Sequence, residues 1–450
     1  MSAPDPTGSG PRPGPLAPVE ELRRLDHAHF WHPFTQMADW CASEEDPLVL
    51  VSGRGAILTD AHGRDYFDGN SSIWTNLHGH RHPAIDAAIR DQLDRLAHCS
   101  ALGFSNEPAI RLAAKLVEVA PGDSLTRVFF TDDGSTAIEC ACRMAAQFRA
   151  RTGEEGRDRF VVFDGAYHGD TIGAASLGGI ASFHTLHGAA GYPVHRVGSV
   201  ETLEAMDLAD AARVNAVVIE PLVQGAAGMR LWPAGMLRRL REWCDRHGVF
   251  LILDEVMTGF GRTGRLFACE HESVVPDFLC LAKGLTGGYL PLAATLTTER
   301  VHAAFLGRYE ELKTFFYGHS YCGNPLGCAA ALANLRVFED ERVLEAMPAK
   351  IEALAKALVE AGKHCRSFGA IRQIGLIAAI DLVDAGTGGA LDWRLETGAR
   401  ICRRARAHGL LTRPIRDTLT LMPPLCSSVE QIRSAVGALE RATFEVCGVA

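Results

Sequence analysis

Five short apolar runs mark the middle of the chain: Arg127–Phe130, Phe160–Phe163, Ala216–Ile219, Val249–Leu253 and Phe278–Ala282. Each is close to continuous in Val, Ile, Leu and Phe and does not alternate with polar residues. That pattern predicts strands buried on both faces, as in a mostly parallel central sheet flanked by helices. Helical periodicity fills the gaps, from Thr136 to Arg149 and from about Ala234 to His247. The alternation predicts an α/β fold with right-handed crossovers. Beyond about Asp340 the pattern changes. A helical stretch from Val343 to Ala361 leads into shorter strand-like pieces, including a single run over Ile374–Ile380. These predict a smaller α+β domain. The expected organisation is a disordered leader over 1–17, an N-terminal part of the small domain over 18–74, a large domain over 75–340, and a C-terminal small domain over 341–450.

In such sheets ligands bind beyond the carboxyl ends of the strands, so the polar residues that end the runs are the candidates. Leu251-Ile252-Leu253 ends in Asp254 and Glu255, and Leu281-Ala282 ends in Lys283. A desolvated lysine has a lowered pKa and a nucleophilic amine, able to form an imine with an aldehyde. A neighbouring acid suits a protonated pyridine nitrogen. Either residue alone also has an ordinary reading: Asp254 as the cap of the next turn, Lys283 as a lysine reaching solvent. Between the first run and its helix lies Thr131–Glu139, where Gly134 permits close approach and the helix start offers N–H groups to a phosphate. The plain alternative is a helix cap, for which Ser135 and Glu139 serve. After the second run comes Gly165–Asp170, whose Tyr167 could stack on a planar group or simply close the core.

Composition narrows the class. Of 450 residues 47% are hydrophobic and 22% charged, an ordinary globular balance. The formal net charge is -9 and no run is rich in Lys or Arg, which argues against a nucleic-acid surface. The 13 cysteines are scattered without metal-ligand spacing, as expected of reduced, buried thiols in a cytoplasmic protein. No apolar run is long enough to span a bilayer. Met1 to Leu16 is rich in Pro, Gly and Ser and lacks the basic start and apolar centre of a signal peptide.

The stretches Asp254–Gly264 and Ala282–Gly288 agree in order and spacing with the class III, or ω-type, pyridoxal-phosphate-dependent aminotransferases. The chain resembles that family over nearly its whole length after the leader. The resemblance implies the type I fold of these transferases and pyridoxal 5'-phosphate (PLP) as cofactor. It implies a homodimer with active sites shared between protomers. By the same resemblance Lys283 is the Schiff-base lysine, Asp254 pairs with the pyridinium nitrogen, Gly134 and Ser135 hold the phosphate, and Tyr167 stacks on the ring. Ser320, in the stretch Gly318–Pro325, would reach the phosphate of the other subunit.

Within the family, Phe30–Met37, Asp68–Trp74, His78–His80, Val223–Met229, Thr412–Pro414 and Met422–Pro424 are similar to the 7,8-diaminopelargonate aminotransferases of the biotin pathway. That implies small-molecule substrates, 8-amino-7-oxononanoate and an amino donor. It places Arg413 on a substrate carboxylate, where a surface ion pair is the ordinary alternative. It puts Trp74, with Phe34 and Gly318, around the substrate pocket. Members that use S-adenosylmethionine carry Ser-Ser-Trp-Trp where this chain has Ser71–Trp74 with Ile73, a tyrosine at Phe34, and Pro-Thr at His319-Ser320. These differences resemble members that take lysine, so the donor stays open between the two. The rival readings are a class III aminotransferase with another acceptor, a PLP aminomutase, and a non-catalytic PLP-binding protein.

Overall fold

The computed structural model describes residues 14, 17–42, 47–180 and 191–448. The leader expected over 1–17 therefore lies outside the described residues, apart from Gly14 and Ala17. An antiparallel meander comes first: β1 (Leu50–Arg54), β2 (Ile57–Asp60) and β3 (Asp65–Asp68). The central strands follow as β4 (Leu125–Thr131), β5 (Arg159–Phe163), β6 (Val194–Val197) and β7 (Val214–Ile219). A short pair, β8 (Val223–Gln224) and β9 (Arg230–Leu231), precedes β10 (Phe250–Asp254), β11 (Phe278–Leu281) and β12 (Ala293–Thr298). The last strands are β13 (Phe368–Ile374), β14 (Ile377–Leu382), β15 (Leu410–Leu411) and β16 (Thr418–Leu421).

The central sheet runs β4-β12-β11-β10-β7-β5-β6. Only β12 is antiparallel to its neighbours, so the expected mostly parallel α/β sheet is what the chain forms. Period-2 alternation explains the continuous apolar runs. Phe160, Val162, Ala216, Val218, Phe250 and Ile252 bury one face against the helix Gly134–Arg151. Val161, Phe163, Val217, Ile219, Leu251 and Leu253 bury the other face in a second core. Both faces are packed with apolar side chains; the buried polar residues of these strands are Asn215, whose side chain accepts from Arg149, and Asp254 at the carboxyl end of β10.

All five predicted strands form, with ends shifted by a residue or two. Two strands of the central sheet gave no signal. β6 is an edge strand with His195 and Arg196 in its centre, His195 half-buried and Arg196 exposed. β12 is rich in Ala and Thr; its buried Thr295 and Thr297 hydroxyls donate to the carbonyls of Ala137 and Asp277. The run Ile374–Ile380 is not one strand. It folds as a hairpin, with Ile374 paired to Ile377 across Gly375-Leu376. The apolar pattern continues through the turn because Leu376 is itself buried, which hid the break. The helix predicted to end at Ala361 runs on to His364.

The chain ends meet. β15 adds to the first sheet beside β3, pairing Leu410 with Phe67. Buried Arg262 joins three distant segments by donating to the Ser71 hydroxyl and to the carbonyls of Asn76 and Pro423.

Candidate active site

β5, β7, β10 and β11 are parallel neighbours, so their carboxyl ends open onto one edge of the sheet. Register fixes what stands there. Asp254 faces Cys280 on β11, and Leu253 faces Ile219 on β7. Lys283 thus projects just beyond Asp254 on one side, and Glu220 follows β7 on the other. Asp254 is buried; one carboxylate oxygen lies 2.7 Å from Nδ1 of His168 and the other accepts from the Val256 N–H at 3.1 Å. Lys283 follows the end of β11 with φ at +43°, a left-handed conformation that side chains other than glycine rarely adopt. Its Nζ lies 4.8 Å from the centre of the Trp74 ring. Burial lowers its pKa, and the nearby Asp254 and Glu220 carboxylates partly oppose that shift.

The loop after β10 is braced from within. Glu255 accepts from the N–H groups of Ala268 (2.9 Å) and Cys269 (2.8 Å) and from the Thr258 hydroxyl (2.7 Å). This explains an acid beside Asp254 without giving it a chemical role.

At the carboxyl end of β4 the helix Gly134–Arg151 begins. Its cap is neither Ser135 nor Glu139. Asp133 accepts from the Thr136 N–H at 3.0 Å, and Thr136 closes a capping box. Glu139 instead accepts from the Gly173 N–H at 2.9 Å. Ser135 is left to face the next loop, where its hydroxyl accepts from the Asp170 N–H at 3.2 Å. The approach is tight: a Cβ on Gly169 (φ +117°) would stand 2.0 Å from the Ser135 hydroxyl, and one on Gly134 2.7 Å from Val256. Tyr167 is held at both ends, its hydroxyl donating to Asp170 at 2.6 Å and its N–H to Glu220 at 3.4 Å. Burial, then the Asp170 carboxylate, raises its pKa.

Trp74 ends a turn whose residues Ser71, Ser72, Ile73 and Trp74 all have positive φ, at 48°, 49°, 64° and 68°. Its indole N–H donates to Asn70 at 2.9 Å. Arg413 and Phe34 come together although far apart in sequence, the Arg413 guanidinium donating to the Phe34 carbonyl at 3.2 Å; both are exposed. Gly318 and Ser320 lie on an exposed loop and make no hydrogen bond to Lys283 or Asp254. Between them His319 faces Asp132 at 3.5 Å.

Two groups of this edge were not singled out from the sequence. His168 partners Asp254 and is buried, with no hydrogen-bond partner for its Nε2 among the described residues. Glu220 is buried and accepts from the Gly225 N–H at 2.8 Å; burial pushes its pKa up to about 7. Glu220 directly ends an apolar run, so the rule that found Asp254 and Lys283 also points to it. Together the edge supplies an amine of lowered basicity, a buried carboxylate, a helix start with a hydroxyl beside it, and an aromatic side chain.

Against known proteins, residues 40–443 match the family described as Aminotransferase class-III. The chain is 48% identical to the adenosylmethionine-8-amino-7-oxononanoate aminotransferase of Nitratidesulfovibrio vulgaris, covering 94% of this chain and 82% of that one. The crystal structure of the protein of that name from Methanocaldococcus jannaschii superposes with a TM-score of 0.92 at 38% identity, over 95% of this chain and 99% of the other. An amine transaminase from an uncultivated Pseudomonas species, solved in its PLP-bound form, gives a TM-score of 0.86 at 35% identity over 93% and 99%. With sheet order, strand-end chemistry and relatives in agreement, the chain belongs to the class III aminotransferases.

Proposed function

We propose that this aminotransferase converts 8-amino-7-oxononanoate to 7,8-diaminononanoate in biotin formation, with PLP as cofactor and S-adenosylmethionine or lysine as amino donor. The observation that carries the reading is the pairing of β10 with β11, which sets Asp254 and Lys283 at one buried edge of the sheet. The relatives' names supply the acceptor.

The residues present fit PLP. Lys283 offers the amine for its aldehyde, Asp254 the carboxylate for its ring nitrogen, Tyr167 a face for the ring, and Gly134 with Ser135 the helix start for its phosphate. The tight contact of Gly169 with Ser135 leaves no room for a side chain there and shapes that cradle. When bound, PLP supplies an aldehyde that takes up the amino group and a ring that draws off electron density.

The chain's own residues do the rest. The Lys283 amine would take the proton from the donor carbon and, in the second half, return one to the acceptor carbon. Burial favours its neutral form, which a base requires. Asp254 holds a proton on the ring nitrogen, and His168 fixes the direction of that carboxylate. Arg413 pairs with the substrate carboxylate, while Trp74, Phe34 and Gly318 line the pocket. Ser320 of the partner subunit completes the phosphate site in a homodimer. Its loop is exposed, and the large apolar side chains Leu102, Phe104 and Phe316 also stand exposed on the single chain, as a subunit contact requires. The division into a large unit over 75–340 and a small one from 18–74 and 341–450 belongs to the same proposal, supported by the β3–β15 pairing of the two chain ends. A cytoplasmic location suits small soluble substrates; among the described residues no helix is long and apolar enough to cross a membrane.

Two half-reactions test the assignment. Protein treated with lysine or S-adenosylmethionine and then freed of it should yield 7,8-diaminononanoate, read by mass spectrometry, when 8-amino-7-oxononanoate alone is added. Product that forms only with both substrates present overturns the mechanism, and no product beside good turnover of another ketone overturns the acceptor. Lys283→Ala should abolish turnover and the visible absorbance of the bound cofactor. Full activity with that absorbance retained would remove Lys283 from its role.

A further inference from the structure

The turn that carries Trp74 is one turn of a left-handed helix. Trp74 N–H donates to the Asn70 carbonyl at 2.8 Å and Thr75 N–H to the Ser71 carbonyl at 2.9 Å, over four successive residues of positive φ. None of the four is glycine, and L-residues do not choose this conformation in series. Something outside the turn must hold it. Asp68, at 3% exposure, does so with both carboxylate oxygens. One accepts from the Ser72 N–H at 2.9 Å, and the other from the Ser72 hydroxyl at 2.8 Å. The second oxygen also meets Nε2 of His80 at 3.0 Å, and the other ring nitrogen of His80 faces the Asn76 amide at 3.3 Å. His80 thereby presents its Nε2–H to Asp68. The indole ends between Lys283 and Gly225, where a Cβ on Gly225 would stand 3.2 Å from the ring.

We infer that Asp68, oriented by His80, is a positioning residue of the active site: it holds the left-handed turn that keeps the Trp74 indole against the Lys283 amine. The inference rests on Lys283 being the reactive amine. A ring face favours the charged form of an amine beside it. Around Lys283 it acts together with Asp254 and Glu220, which favour the charge, and against Arg262 and burial, which oppose it. Release of the turn removes the ring's contribution and makes the amine easier to deprotonate.

The test follows Lys283 directly. Full-length protein stripped of cofactor is exposed to PLP across pH, trapped with borohydride, and the Lys283 peptide is quantified. Asp68→Ala should move the labelling midpoint to lower pH by about half a unit to one unit, the size of a contact with a ring face. Trp74→Leu should give a like shift, and the two together no more than either alone, because Asp68 acts through Trp74. Adding Ile73→Gly to Asp68→Ala should restore part of the shift, since glycine accepts the left-handed conformation without cost. Should Asp68→Ala not fold, Ser72→Ala, which loses one of the two bonds to Asp68, carries the same expectation with a smaller shift. An unmoved midpoint in the variant that folds, or shifts that add, overturns the inference. Failure of the wild-type protein to label at Lys283 would instead overturn the assignment on which it rests.

Discussion

Glu220 is where burial and charge meet most directly. It accepts from two N–H groups yet lies within reach of Asp254, and burial pushes it up to about 7. An acid whose folded pKa exceeds its unfolded value favours the folded state below the unfolded pKa, and that contribution is lost as pH rises through the folded one. For Glu220 the window runs from the ordinary carboxylate range to about 7. A rise of that size corresponds to a loss on the order of 3 kcal/mol across the window. Glu220→Gln, which keeps an oxygen for the Gly225 N–H, should flatten the fall in stability between pH 5 and about 8. Urea midpoints of the cofactor-free protein across that range check it; parallel curves for the two proteins would refute it. At this scale the sequence showed Asp254 and Lys283 because each ends an apolar run. The His168–Asp254 contact was not legible, since 86 residues separate the pair and only the sheet order brings them together. Nor was the Arg413–Phe34 contact, which joins the two ends of the chain.

Among elements, legibility followed apolar composition rather than burial. β5, β7, β10 and β11 announce themselves as apolar runs; the edge strand β6 carries His195 and Arg196 at its centre, and β12, although buried, carries threonines whose hydroxyls bond to carbonyls outside the strand, so neither reads as a strand. The helix Gly134–Arg151 was legible but its cap was misplaced by two positions: the Asp133–Thr136 box takes that task and leaves Ser135 to the neighbouring loop. The site at this helix start therefore depends on the fit between two elements, the helix and the Tyr167–Asp170 loop. Gly169→Ala, which adds a Cβ 2.0 Å from the Ser135 hydroxyl at φ +117°, should push the two apart. The expected outcome is cofactor binding weakened about tenfold or more while the fold is kept. Absorbance titration of the stripped protein with PLP measures it, and an unchanged Kd would show that the loop does not shape the phosphate site.

The whole molecule makes its own prediction. If each site draws Lys283 from one chain and Ser320 from another, two defective chains can complement. Lys283→Ala and Ser320→Asp proteins, each inactive alone, should recover activity when unfolded together and refolded. The hybrid holds one site with both groups intact, so about a quarter of wild-type activity is expected, half of the dimers being hybrids with one working site of two. No recovery, with hybrids shown to form by native mass spectrometry, would place Ser320 and Lys283 in the same chain's site or remove Ser320 from it.

The pairing of β3 with β15 also sets an order of events during synthesis. Phe67 and Leu410 lie more than three hundred residues apart, and the Trp74 turn leans on the same late segment, through the Ser71 hydroxyl and the Met422 carbonyl. Strand contacts so distant along the chain form late. A nascent chain emerging from the ribosome therefore holds its central strands, with Asp254 and Lys283, well before the Trp74 turn is fastened beside them. Truncated or stalled products would carry Lys283 without the fastened turn that sets the Trp74 ring beside its amine.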